Sequence, residues 1–161
     1  MIILKKYLSV ALVFLLCIGV MVGCSNGKNL TPAEITDEIM AYVDKDIKWV
    51  SLKEGELIGY FGFSGETVVS HSAYINDAEE KYDIVSAFEF KDNKSLHAAV
   101  EKVNASLTSA TQNFATAIDS EREKIANRVI LSKDNVLVVV VSSNTQKIKE
   151  MLTDKGFSAV V

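Results

Sequence analysis

Proline occurs once in this chain of 161 residues, at position 32, and cysteine and histidine occur twice each. Each scarcity excludes something. Both cysteines, Cys17 and Cys24, fall at the N-terminal end, so residues 25–161 have neither a disulfide framework nor a thiolate metal site. His71 and His97 belong to no HExxH-like spacing, which argues against a dedicated zinc site. No Gly-rich loop leads into a helix, so neither common nucleotide-binding fingerprint is present. Glycine is absent between Gly65 and Gly156, and regular structure is therefore expected to run almost unbroken through that stretch. Positive charge is also the minority, with 17 basic against 21 acidic residues and a net charge of −4, a balance that disfavours nucleic acid.

What the chain does have is an apolar beginning. MIILKK is followed by YLSVALVFLLCIGVMVG, and after Cys24 the sequence turns polar in SNGKN. Two lysines ahead of an apolar run are the n-region and h-region of an export signal. A spanning helix competes, since roughly 17–25 apolar residues cross a bilayer, but no basic stop-transfer cluster follows Cys24. The residues Met21-Val22-Gly23-Cys24 resemble a bacterial lipobox, in which Leu, a small residue and Gly or Ala usually precede Cys. That resemblance implies a diacylglyceryl group on the Cys24 thiol and cleavage between Gly23 and Cys24 by signal peptidase II. Two acyl chains hold a protein on a membrane where one does not.

On this reading residues 1–23 are a lipoprotein signal peptide, 24–30 a short lipid-anchored tether, and 31–161 a single α+β domain at the outer face of the bacterial cytoplasmic membrane. Lys5 and Lys6 leave with the leader, so 15 basic residues face 21 acidic ones, a net of −6, which offers little to anionic head groups.

Within the domain, LTPAEITDEIMAYVDKD carries a helix start. Thr31 and Glu34 have capping-box spacing, Pro32 suits the first helical position, Leu30 and Ile35 can staple, and Ile35, Ile39, Val43 and Ile47 form a stripe. In residues 48–66 the glycines Gly59, Gly62 and Gly65 alternate with Tyr60, Phe61 and Phe63, which suggests a helical turn and a loop docked by its rings. TVVSHSAYI and YDIVSAFEF read as strands. In the second, Tyr82, Ile84, Phe88 and Phe90 oppose Asp83, Val85 and Glu89, the alternation of a half-buried strand. A long helix is expected from about Ser95 to Ile118, with Leu96, Val100, Val103, Leu107, Phe114 and Ile118 on one side and Asp92 or Asn93 as its cap. RVILS and VLVVVV are strands, the unbroken valine run reading as a central one covered on both faces. A helix from TQKIKEMLTDK follows, capped by Asn144 and ended by Gly156 with Phe157 folding back.

The predicted fold is therefore a mostly antiparallel sheet of about four strands with helices on one face, an N-terminal helix preceding a ββα-ββα duplication. The lipobox, the capped first helix, the YFGF loop, the FEFKDN step and the NRVILSKDNVLVVVVS hairpin together resemble bacterial lipoproteins of the domain of unknown function 4358 family. These are patterns of fold, and the resemblance carries no catalytic residue, metal ligand or cofactor with it.

Chemistry is sparse. Gly62-Phe63-Ser64-Gly65 departs from a nucleophile elbow because Glu66 stands where its last glycine belongs. Asp44 and Asp46 begin like a calcium loop, yet the glutamate required twelve positions in is replaced by Gly55. DAEEK and DSEREK read as solvated carboxylates. Tyr60, Phe61 and Phe63 are the candidate contact surface, against the blander reading that they close the core. Two functions follow as expectations: a non-enzymatic binding or protein-interaction module with an envelope protein partner, or a small cell-envelope enzyme using Glu66, Asp83 or Glu89 as acid and base.

Overall fold

The computed structural model describes residues 29–78, 81–113 and 119–160. The signal peptide, Gly23, Cys24, most of the tether, Phe114 and Ile118 lie outside the described residues. Helix α1 (Pro32–Met40) opens with the expected capping box: the Glu34 amide donates to Thr31 Oγ1 at 3.3 Å, and the Thr31 amide to Glu34 Oε2 at 2.8 Å. Two of the four orphan donors of the first turn are thereby satisfied, a motif whose loss costs about 1 kcal/mol. The helix is shorter than the periodicity suggested. Val43 is buried beyond its end, while Ile47 lies in a turn that begins with the Asp46 amide bonded to Asp44 Oδ1.

After α1 come β1 (Trp49–Ser51), α2 (Leu57–Phe61), β2 (Val68–Asn76), β3 (Ile84–Phe90), α3 (Asn93–Asn113), α4 (Asp119–Ala126), β4 (Val129–Lys133), β5 (Val136–Val141), α5 (Thr145–Asp154) and β6 (Ser158–Ala159). Asp92 caps α3, its Oδ1 accepting from the Ser95 amide at 2.7 Å. Helix α5 stops in a Schellman motif. Gly156 takes φ +89°, its amide bonds to the Thr153 carbonyl, and the Phe157 amide bonds to that of Leu152 at 3.0 Å. Asn144 does not cap α5 with its side chain; it donates instead to the Tyr42 carbonyl at 2.9 Å and ties the α5 end to the turn after α1.

The sheet is fully antiparallel in the order β1-β2-β3-β5-β4-β6. It has six strands rather than about four, because β1 and β6 are three and two residues long and too short to show alternation. β5 is central and buried, as its valine run predicts.

Helices cover both faces, not one. On the first face Ile84, Phe88, Phe90, Leu137, Val139 and Val141 meet α2, α3 and Ile125 of α4. On the second, Val85, Ala87, Val138 and Val140 meet Ile35 and Ile39 of α1 and Ile148 and Leu152 of α5. The physical reason lies in β3, which is buried on both sides where a half-buried strand was expected. A second apolar layer needs its own cover.

The strand-strand-helix order occurs twice, but without two-fold symmetry. An axis exchanging the antiparallel neighbours β3 and β5 would pass through the sheet and keep each face in place, whereas α3 and α5 lie on opposite faces.

Candidate functional site

The aromatic loop is core. Phe61 and Phe63 are 0 % and 2 % exposed, and their rings meet the Phe88 ring edge-on at 4.8 Å and 5.1 Å. Tyr60 is half-buried beside them. Such edge-to-face pairs each add about 0.5–1.5 kcal/mol beyond area burial. The candidate contact surface of Tyr60, Phe61 and Phe63 is thus corrected: alternating glycines let the chain fold its rings inward, with Gly62 turning at φ +74° beside Lys102 of α3. Gly65 is buried where a Cβ would collide with the Glu54 side chain.

Of the two histidines, His97 is exposed, and His71 lies half-buried on β2 with its ring stacked 6.3 Å from Phe88. Among the described residues no group of three or more His, Cys, Asp or Glu could hold a metal ion.

Of the carboxylates proposed for acid–base work, Asp83 lies far from Glu89. Glu89 accepts from Ser70 Oγ at 2.8 Å near one end of the β2–β3 pair, while Asp83 lies at the other end. Six residues of extended chain put about 20 Å between them. Glu66 is exposed in the 3₁₀ turn before β2.

Asp83 instead joins a charged cluster that spacing alone did not reveal. Helix α4 presents Glu121 and Lys124 one turn apart on its inner side. Lys124 Nζ donates to Asp83 Oδ1 and to Glu121 Oε2, both at 2.8 Å. Asn76 Nδ2 donates to the second Asp83 oxygen at 2.9 Å, the Tyr82 amide to Glu121 Oε2 at 2.9 Å, and Lys81 Nζ reaches Glu121 Oε1 at 3.4 Å. Glu121 is 2 % exposed and Asp83 5 %, so DSEREK is solvated only in part: Asp119, Arg122 and Glu123 are exposed, while Glu121 is inside.

Burial pushes the Glu121 carboxyl up. The hydrogen bonds from Lys124, the Tyr82 amide and Lys81, with the Lys124 charge, outweigh that and hold it below 4.5, its ordinary value. Burial and then the adjacent Tyr60 raise the Tyr82 phenol above its ordinary value.

Above this cluster opens a cleft of about 500 Å³, with Asp44, Asp46 and the Lys48–Asp77 ion pair among its lining residues. A general acid at neutral pH needs a raised carboxyl, and Glu121 has the reverse. The arrangement acts as a clamp, fastening α4 to the β2–β3 connection across 39 residues of sequence.

Among the described residues no helix is long and apolar enough to cross a membrane. The chain matches no known family model, no curated protein and no solved structure.

Proposed function

We propose that the chain is a lipoprotein held through Cys24 at the outer face of the bacterial cytoplasmic membrane, with residues 31–161 serving as a non-enzymatic binding or protein-interaction module. The observation that carries this is Met21-Val22-Gly23-Cys24, a lipobox-like sequence behind two lysines and an apolar run. The capped first helix, the YFGF loop, the FEFKDN step and the NRVILSKDNVLVVVVS hairpin join it in the resemblance to the domain of unknown function 4358 family, which is part of the same proposal.

The fold adds a spatial argument. Helix α1 follows its Thr31 cap, so on this reading residues 25–30 separate the lipid from the domain. At about 3.5 Å per residue that tether spans no more than about 20 Å, and the domain stands close to the bilayer. A partner in the membrane or the adjacent envelope is within its reach. The enzyme alternative needs two carboxylates poised in one pocket; Asp83 and Glu121 do converge, but on Lys124, with Glu121 held ionised.

Two measurements test the proposal. Cys24→Ala abolishes palmitate labelling and leaves an uncleaved precursor; unchanged labelling overturns the anchor. Crosslinking of the lipidated protein in intact cells recovers a specific envelope protein, and a clean null overturns the interaction module.

A further inference from the structure

Helices α1, α2 and α5 each bury two or more apolar side chains, whereas the buried side chains of α4 are Glu121 and Ile125. Its eight residues are also fewer than the roughly 12–15 at which a helix stands by itself in water. Ile125 closes part of the first core. The rest of what holds the inner side of α4 is charge: Lys124 between Asp83 and Glu121, with Lys81 and the Tyr82 amide on the glutamate. A segment with so little apolar burial belongs to the low end of the range of local stabilities in a protein.

The far end of α4 is held differently. Arg128, just beyond it, donates to the Ile125 carbonyl at 3.4 Å and to Asn104 Oδ1 of α3 at 3.2 Å. These bonds lie in a second cleft, of about 730 Å³, at the outer edge of β4, lined also by Thr145, Gln146 and Lys149 of α5 and by no acidic residue among those described. Both acceptors are neutral, so acid leaves this end in place. A proton reaches the attachment of α4 at its other end, on Glu121.

We infer that α4 is an acid-released latch: neutralising Glu121 frees Asp119–Ala126 from the β2–β3 connection while the sheet stays folded, the helix swinging about its Arg128 end and uncovering the side of the core that Ile125 closes. The inference needs neither the lipid anchor nor a partner. Glu121 faces Lys124 on its own helix and, from the β2–β3 connection, Lys81 and the Tyr82 amide; Lys124 carries the contact on to Asp83. The Tyr82 phenol, raised by burial and by Tyr60 of α2, stays neutral throughout the acid range. Farther out, Asp44, Asp46, Lys48 and Asp77 line the same cleft. Once Glu121 is neutral, Lys81 has lost its carboxylate and the Lys124 ammonium, 13 % exposed, is left with Asp83 alone. Because the folded state holds the Glu121 carboxyl below its ordinary value, the latch is closed at neutral pH and opens as pH falls through the folded value.

The test is hydrogen exchange read by mass spectrometry on the full-length chain in detergent, expressed as protection factors so that the intrinsic pH dependence of exchange is removed. Between pH 6 and pH 3 the protection of α4 is expected to fall at least about tenfold, while β3 and β5 at pH 3 stay at least about a hundredfold better protected than α4. In Glu121→Gln, which is neutral at every pH, α4 is expected to be poorly protected at pH 6 already and to respond little to acid. Lys81→Met, at an exposed site, removes one donor to Glu121 and is expected to move the opening to higher pH. Asp92, at the start of α3, gains a proton in the same range in all three proteins and does not distinguish them.

Equal protection of α4 and the strands at pH 3 overturns the inference, because α4 then opens only with the whole domain. So does an α4 that keeps its protection at pH 3, or one that has none at pH 6 in the unaltered chain. An acid response of α4 unchanged in both variants overturns it as well, since Glu121 is then not the trigger. Should Glu121→Gln fail to fold, Lys81→Met and the unaltered chain carry the comparison.

Discussion

The cleft at the β2–β3 connection and the cleft at the β4 edge are both lined by charge, and they differ in where that charge is spent. In the first, Asp83, Glu121, Lys124 and Lys81 answer one another, and Asn76 and the Tyr82 amide take up remaining valence. In the second, Arg128 bonds to two neutral acceptors, and no acidic residue is among the described residues that line the cleft with it and Lys149. A satisfied network fixes one arrangement of the chain and has little left for a ligand. Size and charge content alone would not separate these clefts; the bonding pattern does.

Breaking the first cleft has the largest expected effect. Lys124→Met leaves two buried carboxylates without their shared cation and is expected to lower unfolding free energy by about 3–5 kcal/mol, read as a fall in the urea midpoint. A loss under about 1 kcal/mol would mean that the network is solvated and the contrast false. Next comes pH. Because the folded state holds Glu121 below 4.5, its contribution is complete above that value and is lost as pH falls through the lower folded value. Stability measured between pH 6 and pH 3 is expected to fall, and to fall less in Glu121→Gln, which has no carboxyl to protonate. Asp92, lowered by the Ser95 amide, titrates in the same direction in both proteins and cancels from the comparison.

At the second cleft Arg128→Met removes two hydrogen bonds to neutral acceptors and is expected to cost about 1–2 kcal/mol in the same urea titration. Lys149→Glu, on the exposed side of α5, is expected to change stability by less than about 0.5 kcal/mol. The pair Lys124→Met and Lys149→Glu thus brackets the comparison. Equal effects from the two would dissolve it.

How much of this was legible beforehand depends on how local the cause is. The Thr31–Glu34 box, the Gly156 stop and the valine run are each written in fewer than ten consecutive residues, and each occurs as read. The double-sided sheet was misread because Asp83 and Glu89 share the parity of Val85 and made that face look solvated. Asp83 is inside because Lys124 lies opposite, 41 residues away, and Glu89 has Ser70. Glu121 is hidden for the same reason: DSEREK carries surface composition and is mostly exposed, while the distant Tyr82 amide and Lys81, with Lys124, hold Glu121 inside. The sequence around Phe61 and Phe63 suits surface or core alike, and the choice between them belongs to Phe88 and Phe90, whose position the loop does not encode.

The central strand has a consequence for the unfolded chain. Val136–Val141 is six residues, uncharged, five of them valine, without proline or glycine, the composition from which cross-β stacks are made. In the native sheet both of its edges are occupied, by β3 on one side and β4 on the other. β4 is joined to it through only Asp134 and Asn135, with Asp134 at φ +52°, so the partner that protects one edge is available within microseconds of the hairpin closing. β3 is more distant in sequence and arrives later. The interval between those two pairings is when a second copy of the chain competes for the open edge, and a slow-closing hairpin would turn the strand that anchors the fold into the one that aggregates it.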